Sequence, residues 1–243
     1  GGFDMVSLAN NHIMDYGPAA LAETCEVLRK NNIAYSGAGV NLAAARQPAM
    51  IERSGYKVAL LSCARVFPKE YYAGANKPGM VWADAKTLEV DIKKARRAGA
   101  SLVVVAVHWG SELLNYPHPY QRELAHAAIN AGADLIIGHH PHVLQGIEIY
   151  KGKPILYSLG NFAFSSRSKK VKDSAIIKVC WKGLDPHRII IYPVNVANYE
   201  VNFQTRLREG DDALRVIRDI QQYSAKFGTI INVEGDTGVV DIL

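Results

Sequence analysis

Residues 102–107 read LVVVAV, an unbroken apolar run dominated by β-branched side chains. A strand with one wet face alternates apolar and polar residues, whereas a continuous run of this kind fits a strand covered on both faces. The chain therefore needs layers on either side of that strand, and the flanking sequence supplies them. Short apolar runs at Asp4–Ala9, Lys57–Ser62 and Asp134–Ile137 read as further strands. Between them lie helical patterns. Pro18–Lys30 carries Leu21, Cys25 and Leu28 on one face. A helix capped by Asp84 carries Leu88, Ile92 and Ala95 and stops at Gly99, and Tyr120–Ala131 stops at Gly132. Strand, helix, strand in this order predicts right-handed βαβ units with parallel strands.

Beyond residue 146 the pattern changes to hairpins. Ile147–Tyr150 and Ile155–Ser158 flank Lys-Gly-Lys-Pro, Ala175–Trp181 and Arg188–Val196 form a second pair, and Thr229–Leu243 reads as a third. An amphipathic helix over Asp211–Phe227 carries Leu214, Ile217 and Ile220. The whole predicts one α/β domain over residues 1–243, with two mixed sheets covered by helices. The 243 residues are enough for such a core, and 49% apolar with 21% charged residues is ordinary globular composition. No stretch approaches the roughly 18 apolar residues of a membrane span, and no signal peptide is visible. The chain opens Gly1-Gly2-Phe3-Asp4 without an initiator Met, which predicts that sequence precedes it. Cys25, Cys63 and Cys180 are widely spaced and odd in number, so they read as buried thiols rather than a disulfide framework. The net charge of +5 suits either a polyanion-attracting surface or ordinary solvated cations; Arg167, Lys169, Lys170 and Lys172 are its one local concentration, an exposed loop or a polymer-binding strip.

Three apolar strands each run straight into a polar motif: MVSLA into Asn10-Asn11-His12, LVVVAV into His108-Trp109-Gly110, and DLII into Gly138-His139-His140-Pro141-His142. Loops beyond the carboxyl ends of parallel strands form the crevice of open α/β sheets. If the three strands are neighbours, their histidines and asparagines share one edge. Imidazole and amide oxygen suit a first-row divalent ion, and no cysteine lies in these loops. His140 and His142, one rigid residue apart, can share a side in an extended segment. Taken singly, His108 also reads as a strand-end histidine, His140 and His142 as a turn motif stiffened by Pro141, and Asn10 and Asn11 as turn residues. Asp15 either orients His12 or caps the following helix. Glu112 is either a carboxylate behind a metal ligand or a solvated acid. Arg65 either contacts an anionic substrate or forms a surface ion pair. Asn161 holds a ligand loop or contacts substrate, or else is a turn residue after Gly160.

The segments SLANNHIMDYG, GAGVNLAAARQP, VVVAVHWGSE and QRELAHAAINAGADLIIGHHPHVLQGIEIYKGKPILYSLGNFAF resemble the bacterial poly-γ-glutamate capsule biosynthesis family, within the calcineurin-like metallophosphoesterase superfamily. The resemblance is strong over about residues 1–165. It implies a four-layer α/β/β/α sandwich around two divalent metal ions, manganese, iron or zinc. Asn11, His108, His140 and His142 would be ligands, His12 the acid or charge-stabilising residue, and His139 a neighbour lining the site. The superfamily also places Asp-containing motifs ahead of the Asn-His pair, and Asp4 is a poor match for them; they would lie upstream, come from another chain, or be lacking. The implied function is metal-dependent hydrolysis of a phosphoester or related bond, or of the polymer's amide bond. The alternative is a non-catalytic role in binding, assembling or exporting anionic poly-γ-glutamate. Capsule-synthesis membrane proteins are the implied partners, the extracytoplasmic side of the cell envelope the implied location, and no nucleic acid is expected.

Overall fold

The first apolar run forms β1 (Met5–Ser7), and the turn after it leads into α1 (Gly17–Lys30), with Pro18 in the first turn and Leu21 buried beneath it. The computed structural model describes residues 2–164, 166 and 168–242. They form two units, one of Gly1–Trp109 with Glu123–Ile136 and one of Gly110–Arg122 with Ile137–Leu243.

In the first unit β1 pairs in parallel with β2 (Ala34–Ser36). There follow β3 (Ala38–Gly39) and α2 (Leu42–Ala45), whose cap Asn41 accepts the Ala44 amide hydrogen. The antiparallel hairpin β4 (Ala49–Arg53) and β5 (Tyr56–Arg65) comes next, and β6 (Gly79–Met80) returns to pair with β3. Asp84 caps α3 (Ala85–Arg97) through the Thr87 amide at 2.9 Å, and the helix buries Leu88, Ile92 and Ala95. It delivers the chain to β7 (Leu102–Trp109), parallel to β5 from Val58↔Leu102 to Arg65↔Trp109. Every β7 residue except Val104 is buried, which is why its sequence does not alternate. After α4 (Pro119–Asn130), β8 (Leu135–His139) lies beside β7.

The second unit contains the hairpin β9 (Ile147–Tyr150) and β10 (Lys153–Leu156) and the long pair β11 (Asp173–Lys182) and β12 (Asp185–Asn195). Short α5 (Asn198–Val201) and β13 (Arg206–Leu207) precede α6 (Gly210–Ala225), and β14 (Asn232–Glu234) and β15 (Thr237–Asp241) close the chain. The order β11-β12-β15-β14 is antiparallel at every pair, so this sheet is not mixed as expected; β11-β12 and β14-β15 are hairpins, and β15 returns beside β12 in the opposite direction after α6. The buried face of α6 is Ala213, Val216, Ile217 and Ile220, with Leu214 at its border. Ser224 accepts the Ile147 amide, and a Cβ on Gly146 would collide with the Tyr223 carbonyl, so this loop reaches α6 only as glycine.

Three expectations change. β1 pairs with β2 and is not in the β5-β7 sheet, so the three motif-bearing strands are not all neighbours. The stretch 31–56 holds β2, β3, α2 and β4, elements too short for a readable period. Of the three cysteines only Cys63 is buried, and burial pushes its thiol well up; Cys25 and Cys180 are half-buried. No helix among the described residues is long and apolar enough to cross a membrane.

One polar cluster ties α3 to the sheet of the first unit. Arg96 donates to the carbonyls of Ala100, Ser101 and Gly132 and to the buried Asp134 carboxylate, which also accepts the Val103 amide. Removing the acid leaves a guanidinium and an amide short of their acceptor. Asp134→Ala is expected to lower stability by about 3 kcal/mol, read as a fall in chemical-denaturation midpoint; a change within the noise of a surface substitution would show that Arg96 holds the junction through its carbonyl bonds alone.

Candidate metal centre

Each unit carries one group of candidate residues. In the first unit the backbone turns at Asn10, whose side-chain oxygen accepts the His12 amide at 2.8 Å and whose carbonyl accepts the Ile13 amide. This turn presents Asn11 to the end of β7, where His108 Nε2–H donates to Asn11 Oδ1 at 2.8 Å. The Asn11 Nδ2 group donates onward to His12 Nε2 at 3.3 Å. His12 then carries its proton on Nδ1 and donates it to Asp15 at 2.8 Å. Both assignments follow from the donor–acceptor network. Asp15 thus orients the His12 ring, and the residue preceding α1, Tyr16, provides no side-chain cap. His108 is buried, whereas His12 is exposed. Arg65, at the end of β5, stacks its guanidinium 5.7 Å from the Trp82 ring centroid.

In the second unit His139 ends β8, and His140-Pro141-His142 follows as a turn. The segment is not extended: His140 has φ +98° and His142 φ +61°, in the left-handed region that non-glycine residues rarely adopt. Reversing the backbone on both sides of Pro141 sets the two ring centroids 6.0 Å apart at 51°. The Leu113 amide donates to the Pro141 carbonyl at 2.8 Å and fixes the preceding loop against this turn. That loop starts at Gly110 (φ +87°), whose amide donates to the Tyr120 hydroxyl and where a Cβ would meet the Gln121 side chain at 3.0 Å. Glu112 is thereby brought to the histidines: one ligand atom each from Glu112, His140 and His142 lie within 4.8 Å of one another. Asn161, buried, accepts from His142 Nδ1–H through Oδ1 at 2.7 Å, which leaves the Nε2 lone pair as the donor. The Phe164 ring lies 4.9 Å from that of His142. His139 is not in this trio. The protein around its ring disfavours the imidazolium and lowers its pKa to about 4, although part of the residue reaches solvent.

The trio fits a divalent ion. Two donors each about 2.1 Å from one ion lie at most about 4.2 Å apart, so atoms within 4.8 Å need only a small closing movement. Two imidazoles and a carboxylate suit manganese, iron or zinc. In the other unit Asn11 Oδ1 and His108 Nε2 are close enough to share an ion, once the His108 proton moves to Nδ1. From the sequence Glu112 reads as a carboxylate behind a ligand or a solvated acid; the residue is exposed, and its carboxylate lies close to ligand atoms of His140 and His142. The only signal was its nearness to His108-Trp109-Gly110, because the contact is made by the Leu113–Pro141 hydrogen bond between distant segments. Phe164 was missed altogether. In the basic strip Lys169 and Lys170 are exposed and Lys172 is half-buried, while Arg167 lies outside the described residues.

The chain matches the family model for the bacterial capsule synthesis protein PGA_cap over residues 1–166. It is 38% identical over 195 residues to the PGA biosynthesis protein CapA of Bacillus subtilis, covering 80% of this chain and 51% of that protein. It is 37% identical over 198 residues to the capsule biosynthesis protein CapA of Bacillus anthracis, covering 80% and 48%. The chain thus spans about half the length of these curated relatives. Among solved structures it is similar to the NAD nucleotidase of Haemophilus influenzae, with a TM-score of 0.50 and 13% identity, over 91% of this chain and 46% of that one. At that identity the likeness concerns the fold, which is the metallophosphoesterase-type α/β fold expected from the sequence.

The Asn161 contact makes a prediction about the ring itself. Long-range ¹H–¹⁵N spectra of the metal-free protein should show His142 as the Nδ1–H tautomer, and Asn161→Ala should turn it into a tautomer mixture. An identical pattern in the variant would mean that another group sets the ring.

Proposed function

Because the chain belongs to the bacterial capsule synthesis protein PGA_cap family, we propose that it carries the site of a metal-dependent hydrolase of the metallophosphoesterase type, acting in poly-γ-glutamate biosynthesis. The observation that carries this reading is the convergence of Glu112, His140 and His142, with Asn161 setting the His142 tautomer. These three residues would hold one ion, and Asn11 with His108 would contribute to holding another. A bound divalent ion supplies a water acidified toward neutral pH and a positive charge for developing oxyanions. His12 is positioned to handle a proton: Asp15 holds Nδ1–H, so Nε2, the nitrogen that accepts from Asn11, would take a proton from the attacking water and could pass it to a leaving oxygen. Arg65 supplies a fixed positive charge suited to a phosphoryl or carboxylate group. The substrate is then an anionic phosphoester or the anionic polymer. The setting is the extracytoplasmic face of the cell envelope, beside membrane proteins of capsule synthesis. Exposed Lys169 and Lys170 favour a second reading, in which the chain binds the polymer without cleaving it.

Elemental analysis of protein purified without chelator separates the readings. The wild type should contain transition metal, and His140→Ala/His142→Ala should lose most of it together with turnover on phosphoester or polymer substrates. His12→Ala should keep its metal and lose about 10²–10⁴ in turnover. A wild type that takes up no metal on resupply and still retains the polymer on an affinity column would replace the hydrolase with the binding role.

A further inference from the structure

Next to the trio, within the second unit, the fold encloses a cleft of about 280 Å³ that neither the family nor the proposed chemistry accounts for. Two of its lining residues are sequence neighbours of the trio: Leu113 follows Glu112, and Val143 follows His142. Its polar lining is unusually mixed. Lys170 comes from the turn before β11 and is exposed, while Asp219 and Tyr223 stand one turn apart on α6. Asp173 also lines the cleft, but its carboxylate is occupied, accepting Arg208 at 2.7 Å and both Arg215 Nη groups at 3.0 Å. Arg215 reaches Asp219 only at 3.5 Å. Burial shifts the Asp219 carboxyl above its ordinary range, and its side chain is still 42% exposed, so the carboxylate stays open to a ligand in the cleft.

A ligand that completes this lining needs a positive group for Asp219 and the Tyr223 hydroxyl, a negative group for Lys170, and a short aliphatic stem for Leu113 and Val143. A dianion would meet two carboxylates, and a bare cation would meet Lys170. The volume falls below the roughly 300 Å³ at which pockets for drug-sized molecules begin, which suits a single small residue. We propose that this cleft binds a small zwitterion, an α-amino acid or the amino-terminal residue of a peptide-like chain, with its ammonium at Asp219 and Tyr223 and its carboxylate at Lys170. Binding of the zwitterion stands without the metal. Its further meaning, that the cleft seats the amino end of a glutamyl polymer beside the trio, rests on the proposed function.

The test is calorimetric titration of the full chain, chelator-treated and metal-loaded in parallel, with L-glutamate, γ-L-glutamyl-L-glutamate and N-acetyl-L-glutamate. Glutamate or the dipeptide should bind in both preparations, the stronger of the two identifying a free amino acid or a chain end as the source. N-acetylglutamate, which lacks the ammonium, should bind about tenfold more weakly or worse, as expected for loss of one charged hydrogen bond. Asp219→Asn should weaken binding similarly. So should Lys170→Ala, an exposed substitution that leaves the fold intact. No binding of either amine-bearing probe, equal binding of the acetylated one, or unchanged affinity in both variants overturns the proposal. Metal content measured on the same samples keeps the two readings apart: metal taken up without glutamate binding removes the cleft and leaves the centre, and glutamate binding by a protein that takes up no metal on loading does the reverse.

Discussion

Burial of β7 along almost its entire length is the constraint on which the first unit depends. A buried strand must satisfy its backbone on both edges, because an unpaired amide away from water is costly. Its neighbours are β5 on one side and β8 on the other. Apolar side chains can continue only as far as the sheet does, so the first titratable side chain, His108, stands at its end. There it finds the Asn11 oxygen, presented by a turn whose own shape comes from the Asn10 side chain. The Arg96–Asp134 cluster anchors α3 and the start of β8 to the same strand, so the position of His108 is set by packing and polar ties together.

In the second unit the equivalent role falls to strain. Two histidines in left-handed conformation flank Pro141, and each such residue costs on the order of 1–3 kcal/mol. The conformation persists because the surroundings over-determine it: the Leu113 amide holds the Pro141 carbonyl, and Asn161 holds the His142 ring. Strain of this kind is concentrated where side chains must point in directions that an extended backbone does not offer. Here it turns His140 and His142 toward Glu112, a residue nearly thirty positions earlier.

Hydrogen-bond direction separates the residues that can donate a lone pair from those that arrange them. Asn161 fixes a proton on one nitrogen of His142 and so commits the other. Asp15 does the same for His12, whose second nitrogen faces Asn11. His139, next in sequence to His140, is kept neutral by burial and stays outside the trio. Adjacent histidines thus differ in role through environment, not through chemistry.

The βαβ succession, the caps at Asp84 and Gly99, the hairpins after residue 146 and the helix over the 210s were legible because each arises from local periodicity or from a residue with one strong backbone preference. So was the placing of polar motifs directly after apolar runs. The short elements β2, β3, α2 and β6 were not legible, because they contain no full period, and neither was the pairing of β1 with β2, because parallel pairing depends on partners far apart in sequence. The sequence by itself determined the longer strands and helices and which loops carry the histidines. Only the tertiary structure decided that Glu112 joins His140 and His142, that both histidines adopt left-handed backbone, and that Asn161 governs the ring. Those outcomes depend on hydrogen bonds and steric contacts between segments that no periodicity connects.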